Sequence, residues 1–207
     1  MQGFLVSLEG IDGCGKSTQA RLLQERLERE NIPHLLTREP GGTPAGEMIR
    51  RLLLQEAPAL AINAEILLYM AARAELVETV IRPALAAGKV VICDRYIDST
   101  VAYQGYGSGG DCAWIRALNE RVTQDCRPRL TFLFDLPVEE ALRRRGGSGD
   151  RIEERDLSYH RRVRQGYLAL AAAEPERIML IDAAAPAERQ HEAVWMKLCS
   201  LGGWHGL

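Results

Sequence analysis

Lysine is nearly missing from this chain: among 207 residues only Lys16, Lys89 and Lys197 carry an ammonium group. Long apolar runs are missing as well. None approaches 18 residues, so no membrane-spanning helix is expected. No basic segment precedes the first apolar run, so a secretory leader is not expected and the cytoplasm is the expected compartment. Net charge is small, at −2, and gives no global attraction to nucleic acid or an anionic membrane. The five cysteines (14, 93, 112, 126 and 199) form no C-x-x-C pair, which argues against a zinc site and a disulfide framework. There is no internal repeat and no linker. With three lysines there is no Asn-Lys-x-Asp motif, and no Asp-x-x-Gly follows the third strand candidate, which speaks against a guanine-nucleotide switch. An obvious Ser-His-Asp set is absent too.

What is present reads as one soluble α/β domain over residues 1–207, at 46% hydrophobic and 26% charged residues. Short apolar runs at 4–8, 34–37, 90–93, 130–136 and 178–181 are strand candidates. Helical periodicity occupies 16–29, 45–54, 63–87, 113–124, 138–145, 156–173 and 186–200. Strands separated by helices predict a doubly wound, mostly parallel sheet of five strands covered on both faces. Ligands of such sheets bind beyond the carboxyl ends of the strands, so the residues just after each strand carry the functional argument. The stretches 106–111 and 146–150 are expected to be mobile, the second within a short lid at 143–155, and 201–207 is expected to be a loose tail.

After the first strand comes Gly10-Ile11-Asp12-Gly13-Cys14-Gly15-Lys16-Ser17, followed by Thr18 and a helical stretch. A strand turning through glycines into a helix N-terminus gathers backbone N–H groups at one point, where the helix dipole adds positive potential. One of the few lysines falls where it reaches the β/γ-phosphates of a nucleoside triphosphate, and Ser17 falls where a hydroxyl ligates Mg²⁺. After the second strand come Arg38 and Glu39, either phosphate-site residues or a local ion pair closing a turn. After the third comes Asp94, either a partner of the Mg²⁺ site or a helix cap, with Arg95 beside it as a phosphate clamp. Tyr69 and Arg73 lie four apart on one helix face; they stack on and hydrogen-bond a planar base, or they are core packing plus a surface charge. Arg143, Arg144, Arg145 and Arg151 flank the Gly/Ser-rich stretch, as a solvated helix face or as a lid that swings cations over a phosphate.

With these residues in view, the chain resembles the thymidylate kinase family in its bacterial form, over nearly its whole length. The resemblance rests on Glu9 to Ser17, Arg38-Glu-Pro-Gly-Gly-Thr43, Tyr69-x-Ala-Ala-Arg73, Asp94-Arg-Tyr-Ile-Asp-Ser-Thr-Val-Ala-Tyr-Gln-Gly105 and Asp150-Arg-Ile-Glu153, in the family's order. It implies a nucleoside monophosphate kinase fold with a short lid, transfer from ATP to dTMP with Mg²⁺, and a homodimer. By position it places an aromatic ring on thymine at Tyr69, the base-contacting arginine at Arg73, and Thr100 and Gln104 at the remaining base edge. Tyr103 closes the sugar pocket and Asp12 meets the 3′-hydroxyl. Arg38 and Arg95 contact phosphate, with Glu39 and Arg50 bordering the same site. The bacterial form often carries phenylalanine where this chain has Tyr69, and a buried phenol needs a partner. The phosphate loop has Gly13 and Cys14 where an arginine could stand, so the lid is expected to supply it from Arg143, Arg144, Arg145 or Arg151. The 182–186 loop is the expected place for adenine.

Overall fold

The computed structural model describes residues 3–56, 60–146 and 151–204. Five strands, β1 (Phe4–Glu9), β2 (His34–Arg38), β3 (Val90–Asp94), β4 (Leu130–Asp135) and β5 (Ile178–Asp182), form one sheet in the order β2-β3-β1-β4-β5. Every pairing is parallel, with Phe4 opposite Val90 and Val6 opposite Leu130. The strands at the centre read as continuous apolar runs because both faces are covered. Period-two alternation sends Phe4, Val6, Leu8, Val90 and Ile92 into one core and Leu5, Val91 and Cys93 into the other.

The helices are α1 (Lys16–Arg29), α2 (Pro44–Arg51), α3 (Ile62–Leu76), α4 (Arg82–Ala86), α5 (Ile97–Thr100), α6 (Cys112–Thr123), α7 (Val138–Arg145), α8 (Leu157–Ala173) and α9 (Ala187–Gly202). Caps set several starts. Thr43 accepts from Gly46 N–H ahead of Pro44, Asp111 accepts from Ala113 and Trp114 N–H, and Asp156 accepts from Tyr159 N–H. The stretch expected as one helix over 63–87 is α3, a wide π-type turn at Val77–Ile81, and α4. Pro83 has no N–H and its ring would clash with a carbonyl one turn back; the wide turn absorbs both. Among the described residues no helix is long and apolar enough to cross a membrane.

Two stretches expected to be mobile carry regular hydrogen-bonded structure in their described parts. Residues 106–111 end another π-type segment, Val101–Gly107, whose carbonyls are capped by Ser108, Gly109 and Gly110 N–H groups. Of the expected tail, residues 201–204 are described. Leu201 and Gly202 close α9, Gly203 takes the left-handed cap conformation, and Trp204 N–H returns to the Cys199 carbonyl. The Trp204 ring then sits 6.1 Å from Phe4 and 6.3 Å from Trp195. Residues 147–150 and 205–207 lie outside the described residues, and with them most of the expected mobile stretch at 146–150.

Candidate active site

The carboxyl ends of β1, β2 and β3 meet at one rim, with Leu8 and Arg38 both in register with Asp94. Two openings share that rim. One is a cleft with about 570 Å³ of empty space whose walls include Tyr69, Arg73, Thr100, Tyr103 and Gln104. The other is a wider groove along Gly13, Gly15, Lys16, Ser17, Thr18 and Asp94. Asp12, Glu39, Arg50, Arg95 and Glu153 line both, so the two openings communicate.

The groove is built by the glycine loop. A Cβ at Gly13 would lie 2.1 Å from the Ala141 carbonyl of α7, so only glycine lets the loop pass beneath that helix. Gly15, at φ 99°, turns the chain into α1 and faces open space. No side chain caps α1, its first turn holds no acidic residue, and Arg26 and Arg29 occupy its last turn. Its N-terminal N–H groups and positive dipole end therefore point at the groove with no anion from the helix's own first turn. Lys16 is folded back, donating to the Gly10 and Ile11 carbonyls at 2.9 and 3.0 Å. Ser17 Oγ donates to Asp94 Oδ2 at 3.2 Å. Asp94 is not a helix cap: α5 begins at Ile97, and its N-cap is Tyr96.

Among the described residues no group of three His, Cys, Asp or Glu side chains gathers to hold a metal. A hydroxyl beside one carboxylate fits Mg²⁺, which keeps water and substrate phosphate as most of its ligands.

Arg95 is the hub between the two openings. It sits at φ 68°, a left-handed conformation that a non-glycine residue adopts at some cost. Its guanidinium donates to Asp12, to the Gly10 carbonyl (3.0 Å), to Tyr103 (3.1 Å), and to Ser99 and Tyr167 (3.3 Å each). Tyr103 in turn donates to Asp12 Oδ2 at 2.8 Å. Burial alone would raise the Asp12 carboxyl, but the charges of Arg95 and Lys16 and the hydrogen bonds from Tyr103 and Arg95 outweigh it. They hold that carboxyl well below its ordinary range.

Behind Arg95 lies Glu9, fully buried, which sequence reasoning placed in the motif but not in the site. Its Oε1 accepts from Tyr96 N–H (2.7 Å) and its Oε2 from Ser99 (2.6 Å) and Tyr167 (2.9 Å). Burial and the nearby Asp98 push its carboxyl up to about 7 against the pull of Ser99, Arg95 and Tyr167. A carboxyl whose folded value is raised binds more protons in the folded than in the unfolded state. Stability contributed at this position is therefore lost as pH rises from about 4.5 to about 7. The Glu9→Gln variant cannot ionise, so its melting temperature relative to the parent should rise across that window. A difference that stays constant from pH 4.5 to 7 would contradict the assignment.

In the cleft, Arg73 is core and not surface charge, at 1% exposure. It donates to Glu39 Oε2 at 2.8 and 2.6 Å, to the Tyr96 carbonyl (3.0 Å), to Thr100 (2.9 Å), to Asn119, and to Met70 Sδ (3.8 Å). Glu39 is thus paired across 34 residues rather than with Arg38, which meets Glu47 instead. Burial raises the Glu39 carboxyl and Arg73 opposes it. Its second oxygen, Oε1, is buried without a partner among the described residues. Arg50 donates to the Pro40 carbonyl at 2.8 Å.

The lid arginines separate. Arg145 lines the groove, donates to the Glu153 carbonyl at 2.6 Å, and keeps a buried Nε–H without an acceptor among the described residues. Arg143 is 78% exposed beside Glu140, and Arg144 is tied to Glu140 and the Ala183 carbonyl. Arg151 turns away from the groove to Glu65, at 2.6 Å. Glu65, Asn119, Ser99 and Tyr167 were all missed from sequence, since isolated polar residues in helical stretches give no signal of what they will face.

Comparison with known proteins agrees with this geometry. The thymidylate kinase family profile matches residues 8–194. The chain is 46% identical over 203 residues to a thymidylate kinase of Halothermothrix orenii, covering 96% of this chain and 97% of that one. It is 54% identical over 186 residues to one from a Synechococcus strain, covering 89% of each. A crystal structure of thymidylate kinase from Ehrlichia chaffeensis superposes with a TM-score of 0.78 at 38% identity, covering 96% of this chain and 99% of that one.

Proposed function

The chain belongs to the thymidylate kinase family, and from that premise we propose how its residues carry a phosphoryl group from ATP to dTMP. It is a nucleotide kinase, phosphorylating dTMP to dTDP. The observation that carries the residue assignments is the shared rim, where one groove floored by a helix N-terminus opens into one cleft walled by polar groups.

ATP lies in the groove with its phosphates on the loop amides of Gly10, Gly13, Cys14, Gly15, Lys16, Ser17 and Thr18. Lys16 leaves the two carbonyls and meets the β/γ-phosphates. Ser17 and Asp94 would hold Mg²⁺, which supplies charge neutralisation between phosphates when bound. The dTMP base enters the cleft against Tyr69, with Arg73, Thr100 and Gln104 at its edge. All Arg73 N–H groups already have protein acceptors, so direct contact with a base replaces the weakest, Met70 Sδ. Asp12 and Tyr103 stand beside the sugar. Arg95, Arg38 and Arg50 stand beside the acceptor phosphate, with Glu39 bordering it.

An oxygen of the acceptor phosphate attacks the γ-phosphorus, the bond from that phosphorus to the bridging oxygen breaks, and ADP leaves. The second pKa of a phosphate monoester is about 6, so the nucleophile is already anionic at neutral pH and no general base is needed. The transition state is loose, and catalysis reduces to aligning two anions and neutralising their charge. Arg145 is the lid cation in this scheme, since it lines the groove with an N–H that has no acceptor among the described residues. Arg151 contributes by holding the lid down rather than by touching phosphate, and Arg143 has no such support. We also propose a single cytoplasmic domain acting as a homodimer. Met48 on α2 and Leu67 on the adjacent α3 are 63% and 50% exposed, an apolar surface suited to a second copy.

A second reading, a nucleoside kinase, would use the unpartnered Glu39 Oε1 as base toward a neutral hydroxyl. Measuring ADP release with ATP and Mg²⁺ separates the two. The expected order is dTMP first, dUMP lower by roughly 10- to 200-fold for one methyl group, dCMP lower still, and thymidine inactive. Thymidine turning over faster than dTMP would replace the monophosphate reading with the nucleoside one.

A further inference from the structure

We propose that Glu65 sets base selectivity by locking the Gln104 carboxamide in one orientation. The inference rests on the reading that the cleft takes the base of the acceptor nucleotide.

Glu65 lies in the first turn of α3 at 1% exposure, and its two oxygens have different tasks. Oε1 accepts from Gln104 Nε2 at 2.8 Å. Oε2 accepts from Arg151 Nη2 at 2.6 Å, with Arg155 Nη2 at 3.8 Å. Arg151 is itself anchored, donating from Nε to the Leu53 carbonyl at 3.0 Å and from its backbone N–H to the Leu54 carbonyl at 3.3 Å. The carboxylate is therefore held from one side and cannot turn to suit its other neighbour.

A carboxylate facing guanidiniums only accepts hydrogen bonds. A flipped Gln104 would set its carbonyl oxygen against Glu65 Oε1, two acceptors in contact at a site from which water is excluded. The amide nitrogen must face Glu65, and the carbonyl oxygen is the polar atom Gln104 keeps for the cleft it lines. Thr100 supplies the complementary element. Its Oγ1 accepts from Arg73 Nη2 at 2.9 Å, which leaves the hydroxyl hydrogen to donate.

The cleft thus offers an acceptor of fixed role in Gln104, beside a Thr100 hydroxyl that can donate. A dioxo pyrimidine, with a ring N–H beside a carbonyl, satisfies both. An amino pyrimidine, with a ring lone pair where that N–H would stand, sets acceptor against acceptor at Gln104. Sites built on obligatory polar pairing discriminate far more strongly than apolar pockets do. Glu65 touches no substrate in this scheme; it is a positioning residue.

The test is kcat/KM for dTMP and for dCMP at saturating ATP, in the parent, Glu65→Gln, Gln104→Leu and the double variant. A glutamine at 65 can donate or accept, so Gln104 is released to present either end. The dTMP:dCMP ratio should fall at least about tenfold in Glu65→Gln, through KM rather than kcat, with KM for ATP changed less than about twofold. Adding Glu65→Gln to Gln104→Leu should change the ratio no further, because both act through one amide. An unchanged ratio in folded Glu65→Gln, with dTMP and dCMP reduced equally, overturns the proposal, as does additivity in the double variant. If Glu65→Gln does not fold, the same ratio is read on Glu65→Asp. That variant keeps the charge for Arg151 but withdraws the oxygen from Gln104, and it should also lose discrimination. A parent inactive on dTMP overturns the pocket reading and this assignment together; an active parent whose variants keep the ratio overturns the assignment alone.

Discussion

Lys16→Ala is expected to lower kcat at least about 100-fold while the protein stays folded. Lys16 is the one lysine at the rim, and its ammonium is 2.9 Å from the Gly10 carbonyl and 3.0 Å from that of Ile11. In that position it completes the loop; over the β/γ-phosphates it supplies a full positive charge where negative charge gathers during transfer. Arg95 does not take over this position, because it is committed to Asp12, Tyr103 and the Gly10 carbonyl. The structural loss is smaller. Gly10 keeps its bond from Arg95 and the Ile11 carbonyl keeps a long one from Cys14 N–H at 3.4 Å, so the cost is about 1–2 kcal/mol. Turnover and thermal unfolding measured on the same sample check both halves. Near-normal turnover would remove Lys16 from the chemistry, and a collapse of the fold would make its role structural.

Arg73→Ala carries the largest expected effect on stability. Arg73 and Glu39 form an ion pair 1% and 4% exposed, and removing one partner leaves a buried carboxylate without its counter-charge. Breaking such a pair costs about 3–5 kcal/mol, which for a chain of this size lowers the melting temperature by on the order of 10 °C. The loss is bounded because burial already pushes the Glu39 carboxyl up, and without Arg73 it takes a proton instead. Replacing both residues by apolar ones of similar volume, Arg73→Met with Glu39→Leu, should recover most of the stability but not the activity. In the single variant KM for dTMP should rise far more than KM for ATP, since Arg73 lines the acceptor cleft and not the groove. A single variant losing under about 1 kcal/mol, or raising both KM values equally, would contradict this account.

Much of the fold could be read from the chain because its signals are local. The strands at the centre are short apolar runs, and the phosphate loop is a strand, glycines, Lys16 and a helix in immediate succession. Asp94 and Arg95 followed from the rule that the ends of parallel strands face the ligand. The site's inner shell was less legible because it is built across long separations. Glu9 meets Tyr167 over 158 residues, Arg151 meets Glu65 over 86, and Arg73 meets Asn119 over 46. The helical run from Ile97 to Gly107 was hidden for another reason. Nearly every residue in it is buried, so it shows no amphipathic period, and its glycines read as a loop. Trp204 was hidden likewise: beyond a glycine pair, nothing local says that the chain folds back onto Phe4.

The central claim is that one cage brings a triphosphate donor against an acceptor that is already anionic. Its most direct test follows the phosphorus, using ATP labelled in the γ-phosphate with Mg²⁺ and dTMP. The label should appear in dTDP in step with ADP, with none transferred to thymidine and little lost to water. Folded protein that yields no labelled dTDP, or that releases labelled phosphate equally fast with and without dTMP, would contradict it.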